Sequence, residues 1–545
     1  GGALTGAVTT NSTIDGRDVA ADGVLATNAM PKSGGAFTGA VTTNSTIDGR
    51  DVAADGVLAT NALPKSGGTM TGNIATKGIT SVTLGSGNFV AGSTAGDSIQ
   101  SNSNYNTLVG DDAGTAITTG GYNTALGYQA LLTNNTGTHN TGLGYAALNF
   151  NTTGVENTAV GLQSLYRNTT ASYNTAVGNG SLLNNTTGTA NVAVGQRASI
   201  TNTTGSQNTS VGKDSQYANT TGVYNSSFGQ DSLGTNTTGG YNTAIGSKAL
   251  VSNTTASNNT AVGFKSLEAN TTGDYNLASG WQSLLSNTTG SANTALGGNS
   301  LASNTTANNN TAVGYRSLLA NTTGASNTSV GALSLDANTT GAYNTANGYG
   351  ALRGNTTASY NTAVGNTALY TDTLGARNVA VGHEALASQN FTSATDSHNT
   401  AVGMAAGRLV TTGINNTFVG GIAGTANTTG NSNTAIGMNS LAANTTAADN
   451  TALGVSSLAA NTTGASNTGL GRAALATNTT GANNIAVGHD ALFANTTGLH
   501  NNALGKGALQ SNTTAANNVA IGYESLKANT TGTSNNAVGN ASLLA

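Results

Sequence analysis

The chain has 545 residues, of which only 7% are charged and 76 are Gly, against about 25% charged in an ordinary soluble protein. A net charge of −4 over that length leaves no basic stripe for nucleic acid, and no apolar window approaches a membrane span. The absence of Cys excludes a disulfide framework and a Cys-based metal or redox site.

Length alone suggests about three or four globular domains, but composition overrules that prior. Disordered chains are usually rich in charge and Pro. Here Pro31 and Pro64 are the only prolines, and the apolar residues recur at fixed spacing. An ordered repeat is expected. The chain opens at Gly1 without Met and stops at Ala545 inside a repeat, so it reads as a portion of a longer polypeptide.

Residues 1–74 carry a 33-residue repeat: GGALTGAVTTNSTIDGRDVAADGVLATNAMPKS returns almost unchanged from Gly34, and a third copy opens at Gly67 as GGTMTGNI. Each unit combines a Gly-Gly turn, a short Thr/Val strand (Gly39 to Thr43), a polar IDGRD turn, and a run DVAADGVLATNA with weak helical spacing. So thin a unit has little core of its own, and self-association is the expected way to bury it. Residues 75–105 read as a transition.

From residue 106 to 545 the period is 17, with the unit N-T-A-V-G-x-x-[AS]-L-x-x-N-T-T-G-x-x in 26 copies. All keep Asn in slot one, Gly in slot five and Ala or Ser in slot eight. The copy from Asn378 to Asn399 is 21 residues long, through four extra residues around Ser388–Ser393. Seventeen residues are too few for a helix–turn–helix repeat, and two Gly-containing turns break any continuous helix.

N-T-A-V-G suits a short strand with Thr and Val on one face and Asn, Ala and Gly on the other. Val, with the Leu of slot nine, is expected to supply the apolar contacts, and the small-residue face to allow close backbone approach. N-T-T-G is turn chemistry. Identical residues one coil apart should stack, so that Asn ladders satisfy their amides along the axis. The fold class that follows is all-β, a parallel β-solenoid or β-roll. About four apolar side chains per coil is a thin core for one chain, which predicts an intertwined homotrimer with shared core and hidden sheet edges. One rung per unit at ~4.8 Å gives a rod of roughly 120 Å.

The stretch N-T-A-V-G-x-x-[AS], as in Asn157–Ser164 and Asn191–Ala198, resembles the head repeat of trimeric autotransporter adhesins. That family repeats a 14-residue unit around S/N-x-A-[IV]-G-x-x-A as a left-handed parallel β-roll in a trimer. The present unit is three residues longer, through its N-T-T-G turn. GGAFTG (Gly34–Gly39), GGTMTGNI (Gly67–Ile74) and TIDGRDVAADG (Thr13–Gly23, Thr46–Gly56) resemble repeats of phage tail fibres, which are trimers reaching from the virion to the host surface. Together the resemblances imply the shaft of a viral tail fibre, on the virion tail or an extracellular surface, that positions a host-receptor-binding tip. A bacterial surface trimeric adhesin or extracellular filament is the first alternative, and an ice-binding solenoid a more distant one.

No catalytic or metal-ligating constellation is legible, and no cofactor is expected. His139, His398 and His500 precede slot one, while His383 and His489 follow the slot-five Gly; other copies place Tyr, Asn, Gln, Lys or Arg there, so these slots read as solvated. The pairs Asp111-Asp112 and Asp15/Asp18 match no calcium loop. Aromatics are more patterned. Tyr105, Tyr122, Tyr173, Tyr224, Tyr241, Tyr275, Tyr343 and Tyr360 share slot seventeen, and Tyr128, Tyr145, Phe264, Trp281, Tyr315, Tyr349 and Tyr523 share slot six. Such rings either stack on host-surface glycans or rim a chain–chain contact, with Trp281 the first position to test for a ligand. Gly114, Gly407 and Gly424 replace the slot-nine Leu, which predicts thinner, bent rungs. The N-T-T and N-S-T triplets have the form of glycosylation acceptors.

Overall fold

A computed structural model of the protein describes residues 85–543, together with four two-residue strands nearer the N-terminus. The chain divides into two compact units, Gly1–Val82 and Thr83–Ala545. In the first, Thr13–Ile14 pairs antiparallel with Arg17–Asp18, and Thr46–Ile47 pairs identically with Arg50–Asp51. In both copies the paired strands flank the Asp-Gly of the repeated IDGRD segment, the sequence order a hairpin requires. The expected strand over 39–43 and the helically spaced run lie outside the described residues.

The second unit is an all-β parallel solenoid with one three-residue strand per coil and no helix among the described residues. Strands stack in strict register, as Thr158↔Thr175, Ala159↔Ala176 and Val160↔Val177 show. The ladder runs from Phe89–Ala91 to Asn536–Val538. Its first rung therefore falls within 75–105, one coil before Asn106.

Three-residue strands are short, but pairing continues around the coil. In the coil opening at Asn157, hydrogen bonds to adjacent coils are donated by the N–H of Thr158 (to Asn174 O, 2.8 Å), Gly161 (to Leu143 O, 2.8 Å), Gln163 (to Tyr145 O, 2.9 Å), Leu165 (to Ser181 O, 2.9 Å) and Tyr173 (to Val155 O, 3.1 Å). To aim their groups along the axis, slots seven, nine and seventeen adopt left-handed backbone even without Gly: Gln163, Leu165 and Tyr173 have φ of 54°, 48° and 63°. A left-handed L-residue costs roughly 1–2 kcal/mol, and the hydrogen bonds of every coil offset that strain. Slot five is Gly for a harder reason. At Gly195 (φ 135°) a Cβ would lie 2.6 Å from the carbonyl oxygen of Gly212 in the next coil.

The strand faces are opposite to the sequence expectation. Ala159, Ala176 and Ala312 of slot three are fully buried, whereas the slot-four residues Leu126 (49%), Ile245 (41%) and Leu453 (41%) are substantially exposed. Thr of slot two lies outward beside them, half-buried in most coils. The interior is Ala of slot three, Ala or Ser of slot eight, Leu of slot nine, and two columns of Asn.

Those Asn columns are the expected ladders, and each has its own wiring. Asn157 Oδ1 accepts the backbone N–H of Asn174 (3.0 Å), while Asn174 Nδ2 crosses the coil to Gly188 O (3.0 Å). In slot twelve, Asn185 Nδ2 donates to Asn168 Oδ1 one coil back (2.9 Å) and to the same Gly188 O (2.9 Å). Both ladders therefore converge on one carbonyl and clip each coil shut.

The Gly-for-Leu rungs do not interrupt the ladder, which passes in register from Thr400 to Thr417 to Thr434. The lost volume is refilled from slot three. Phe418 replaces Ala and is fully buried, and a Cβ on Gly407 or Gly424 would fall 2.7 or 2.4 Å from its ring. Leu108 and Ile117 fill the space beside Gly114 in the same way. The four extra residues are absorbed by a small side ladder, Gly375–Ala376 on Thr395–Asp396, with Phe391 tucked inward.

Sequence inspection missed one core feature. The apolar interior forms two clusters, Val90 to Ala198 and Leu233 to Ala537. Between them slot nine holds Ser199 and Gln216, both buried, and Gln216 Nε2 donates to Thr209 O (2.9 Å) and Ser227 Oγ (3.0 Å).

Asn304→Ala should therefore rival a core truncation. It removes bonds to Asn287 Oδ1, Ala307 O and from Asn321 Nδ2, at about 1–3 kcal/mol per stranded buried group. Leu301→Ala should cost about 2–5 kcal/mol. Thermal unfolding of the two variants checks the equivalence.

Candidate functional site

Among the described residues no three His, Cys, Asp or Glu side chains converge as metal ligands, and no helix is long and apolar enough to cross a membrane. His139, His383, His398 and His500 are exposed, and His489 is partly exposed beside Asp490. Asp111 is exposed and Asp112 half-buried; each takes a hydrogen bond from the preceding coil, from Ser93 N and Thr94 Oγ1 respectively.

The patterned surface is the aromatic one. Slot seventeen precedes the strand and slot six follows it, so their rings border the exposed Thr/Val face on both sides. All eight slot-seventeen Tyr are exposed, from Tyr224 at 48% to Tyr275 at 67%, as is Trp281 at 52%. Register brings several together. Tyr105 stacks on Tyr122 (centroids 5.0 Å apart) and Tyr122 on His139 (4.8 Å). Tyr224 stacks on Tyr241 (4.9 Å) and Tyr343 on Tyr360 (5.2 Å), with the Arg377 guanidinium 5.1 Å from the Tyr360 centroid. In slot six Tyr128 stacks on Tyr145 (5.6 Å).

Stacking decides what each ring offers. A ring sandwiched by its neighbours presents its edge to solvent, whereas a sugar packs on a free face. Tyr173, Tyr275 and Trp281 carry no stacked ring among the described residues. Beside Trp281 the next coil has Gly298 in slot six, where an added Cβ would meet only Tyr315 Cδ2 at 3.7 Å and the Trp281 carbonyl at 4.0 Å. Trp281 and Tyr315 thus flank a slot with no side chain. The sequence showed which positions were aromatic; which faces stay free depends on the neighbouring coils.

The second surface is the strand face itself. Its outer row is Val, Leu or Ile in almost every coil, with Ala91, Phe228, Ser279 and Asn347 as departures, beside a row of mostly Thr. A third regular feature is an exposed Thr column in slot fourteen, including Thr153, Thr170, Thr187 and Thr204. Its slot-thirteen neighbours are engaged: Thr169 Oγ1 donates to Thr186 O at 3.0 Å.

The N-T-T triplets prove closed to modification in the fold. Asn151, Asn168, Asn185 and Asn219 are fully buried, with their amides in the ladder.

A comparison with known proteins finds no family model and no curated protein that matches this chain.

Made in a host that attaches N-glycans, the chain should be either unmodified at these Asn or unable to form the solenoid. Glycopeptide mapping together with protease resistance checks this; a protease-resistant product carrying glycan on one of these buried Asn would contradict the ladder.

Proposed function

We propose that this chain is a structural and adhesive fibre, the shaft of a viral tail fibre that holds a receptor-binding tip away from its base, assembled as a parallel homotrimer and without enzymatic activity. The observation that carries the reading is the outward strand face. It repeats an apolar side chain at almost every rung along the solenoid, for instance Leu296 (36%), Ile436 (38%) and Ile521 (39%).

An apolar row of that length asks for a cover. A strip about 120 Å long and about 10 Å wide offers on the order of 1,200 Å² per chain, above the ~800 Å² per partner of a standard interface. A globular partner has no reason to match a rung-by-rung repeat. Further copies of the same chain, parallel and in register, match it everywhere, and three around an axis leave no face open. The bordering aromatics then rim the chain–chain contact, and free ring faces such as that of Trp281 look outward to glycans of a host surface. The tail-fibre resemblance of residues 1–74 favours the virion over a bacterial surface adhesin, which would use the same architecture.

Ice binding fits less well. The Thr row is broken by Val192, Leu277, Ile485 and Asn502 and shares its face with large apolar residues.

Sedimentation of the chain should give the mass of three copies. Val313→Lys with Val330→Lys should lower that mass while the β signal persists in circular dichroism; a monomeric parent would defeat the trimer. Trp281→Ala should weaken attachment to host cells or their glycans about tenfold, a change of about 1.4 kcal/mol. Unchanged attachment would remove Trp281 as a contact.

A further inference from the structure

The slot-twelve ladder contains one ionisable residue. It runs through Asn321, Asn338 and Asn355, and the next position is Asp372, followed by Gln389 and then, after the insertion, Val410. Asp372 is only 2% exposed. Its Oδ2 accepts from Gln389 Nε2 (2.7 Å) and its Oδ1 from Gly375 N (3.1 Å). Gln389 Oε1 in turn accepts Asn399 Nδ2 (2.9 Å). The slot-twelve column is thereby handed to the slot-one column where the repeat lengthens.

One atom in this chain of bonds is left over. In ordinary coils the slot-twelve Oδ1 accepts an amide hydrogen from one coil further on, as Asn338 Oδ1 does from Asn355 Nδ2 (2.7 Å). Asn355 Oδ1 is buried and has no partner. The residue in register with it is Asp372, which as a carboxylate has no hydrogen to give. Turning the Asn355 amide over offers no escape. It would set the oxygen against Asn338 Oδ1 and the Ala358 carbonyl, giving up bonds of 2.7 and 3.0 Å.

We propose that Asp372 is held in the fold as a neutral carboxylic acid that donates its proton to Asn355 Oδ1, and that this proton carries the asparagine ladder across the insertion, making the joint an acid-stabilised segment. A carboxyl group supplies both parts of the missing amide: an O–H donor toward Asn355 and acceptor capacity toward Gln389 and Gly375.

The surroundings favour the neutral form. Burial pushes the Asp372 carboxyl above the usual carboxylate range, while hydrogen bonds from Gln389, Gly375 and Phe391 pull it partly back. The charged groups of the three stacked coils sit at the surface. Arg377 pairs with Asp396 and Glu384 with Arg408, Arg353 lies over Tyr370, and His383 and His398 are exposed.

In the unfolded chain Asp ionises at about pH 4. In the fold the proton is kept to higher pH, so above about pH 4 the folded state binds more protons than the unfolded one. Stability of the joint is then complete below about pH 4 and declines as pH rises toward the folded-state value.

Asp372→Asn restores the amide donor used in the ordinary coils and isolates this proton. Thermal unfolding of the full chain should show variant and parent closest near about pH 3, with the variant increasingly the more stable as pH rises above about pH 4. Infrared difference spectra between the two at about pH 5 should contain one protonated-carboxyl carbonyl band belonging to the parent. A midpoint difference independent of pH, a variant less stable throughout, or a difference spectrum lacking that band would each overturn the proposal.

Discussion

The solenoid depends on satisfying Asn side chains inside a coil too small for a conventional core. Asn is costly to bury unless its amide is fully bonded, and here each of the two columns finds its partners in the adjacent coil and in a carbonyl shared across the interior. The repeat length follows from this. A change of length has to be accommodated: in the 18-residue coil at Asn88 the amide reaches Ser103 O instead, and the long copy at Asn378 needs a side ladder, Gln389 and Asp372 to reconnect the columns. Apolar packing is secondary: Ala, Leu and the slot-eight residue fill what the amides enclose.

With the interior claimed by Asn, Ala and Leu, the larger β-branched residues are left outside. That inversion links the fold to the proposed role. A single coil cannot bury its own Val row, so the chain presents a nearly unbroken apolar strip, which the proposed assembly would cover with further copies of the same chain. The aromatics occupy the borders of that strip. Some stack into columns whose faces are spent on each other, and a few, Trp281 among them, keep a face free because a neighbour is Ala, Asn or Gly.

Much of this was legible in the residues. The 17-residue period, the strand at N-T-A-V-G and the Asn ladders all follow from spacing and turn chemistry. The inward face did not, because alternation in a three-residue strand is equally compatible with either choice. Volume carried the missing signal. Slot three is almost always small, as an interior of fixed width requires, while slot four ranges from Ser279 to Phe228, as only an open face allows. The same reading of volume pairs Phe418 with Gly407 and Gly424, where attention to the lost Leu alone suggested a bend. The left-handed Leu of slot nine had no signature, since nothing in Leu favours positive φ; coil-to-coil hydrogen bonding imposes it. The coil at Asn88 escaped notice because it precedes Asn106 by 18 residues.

The shared carbonyl that closes each coil has a consequence for how such a rod changes length. Every coil offers the coil above and the coil below the same donors and acceptors, so a junction made by adding or removing one whole unit is chemically identical to the junction it replaces. Reach then becomes adjustable in increments of about 4.8 Å by duplication or loss of a short stretch of gene, with no compensating change elsewhere. Only a few places resist such editing: the Phe418 ring shared between two coils, the serine-rich stretch around Gln216, and the joint at Asp372. These are the points at which the rod has an address.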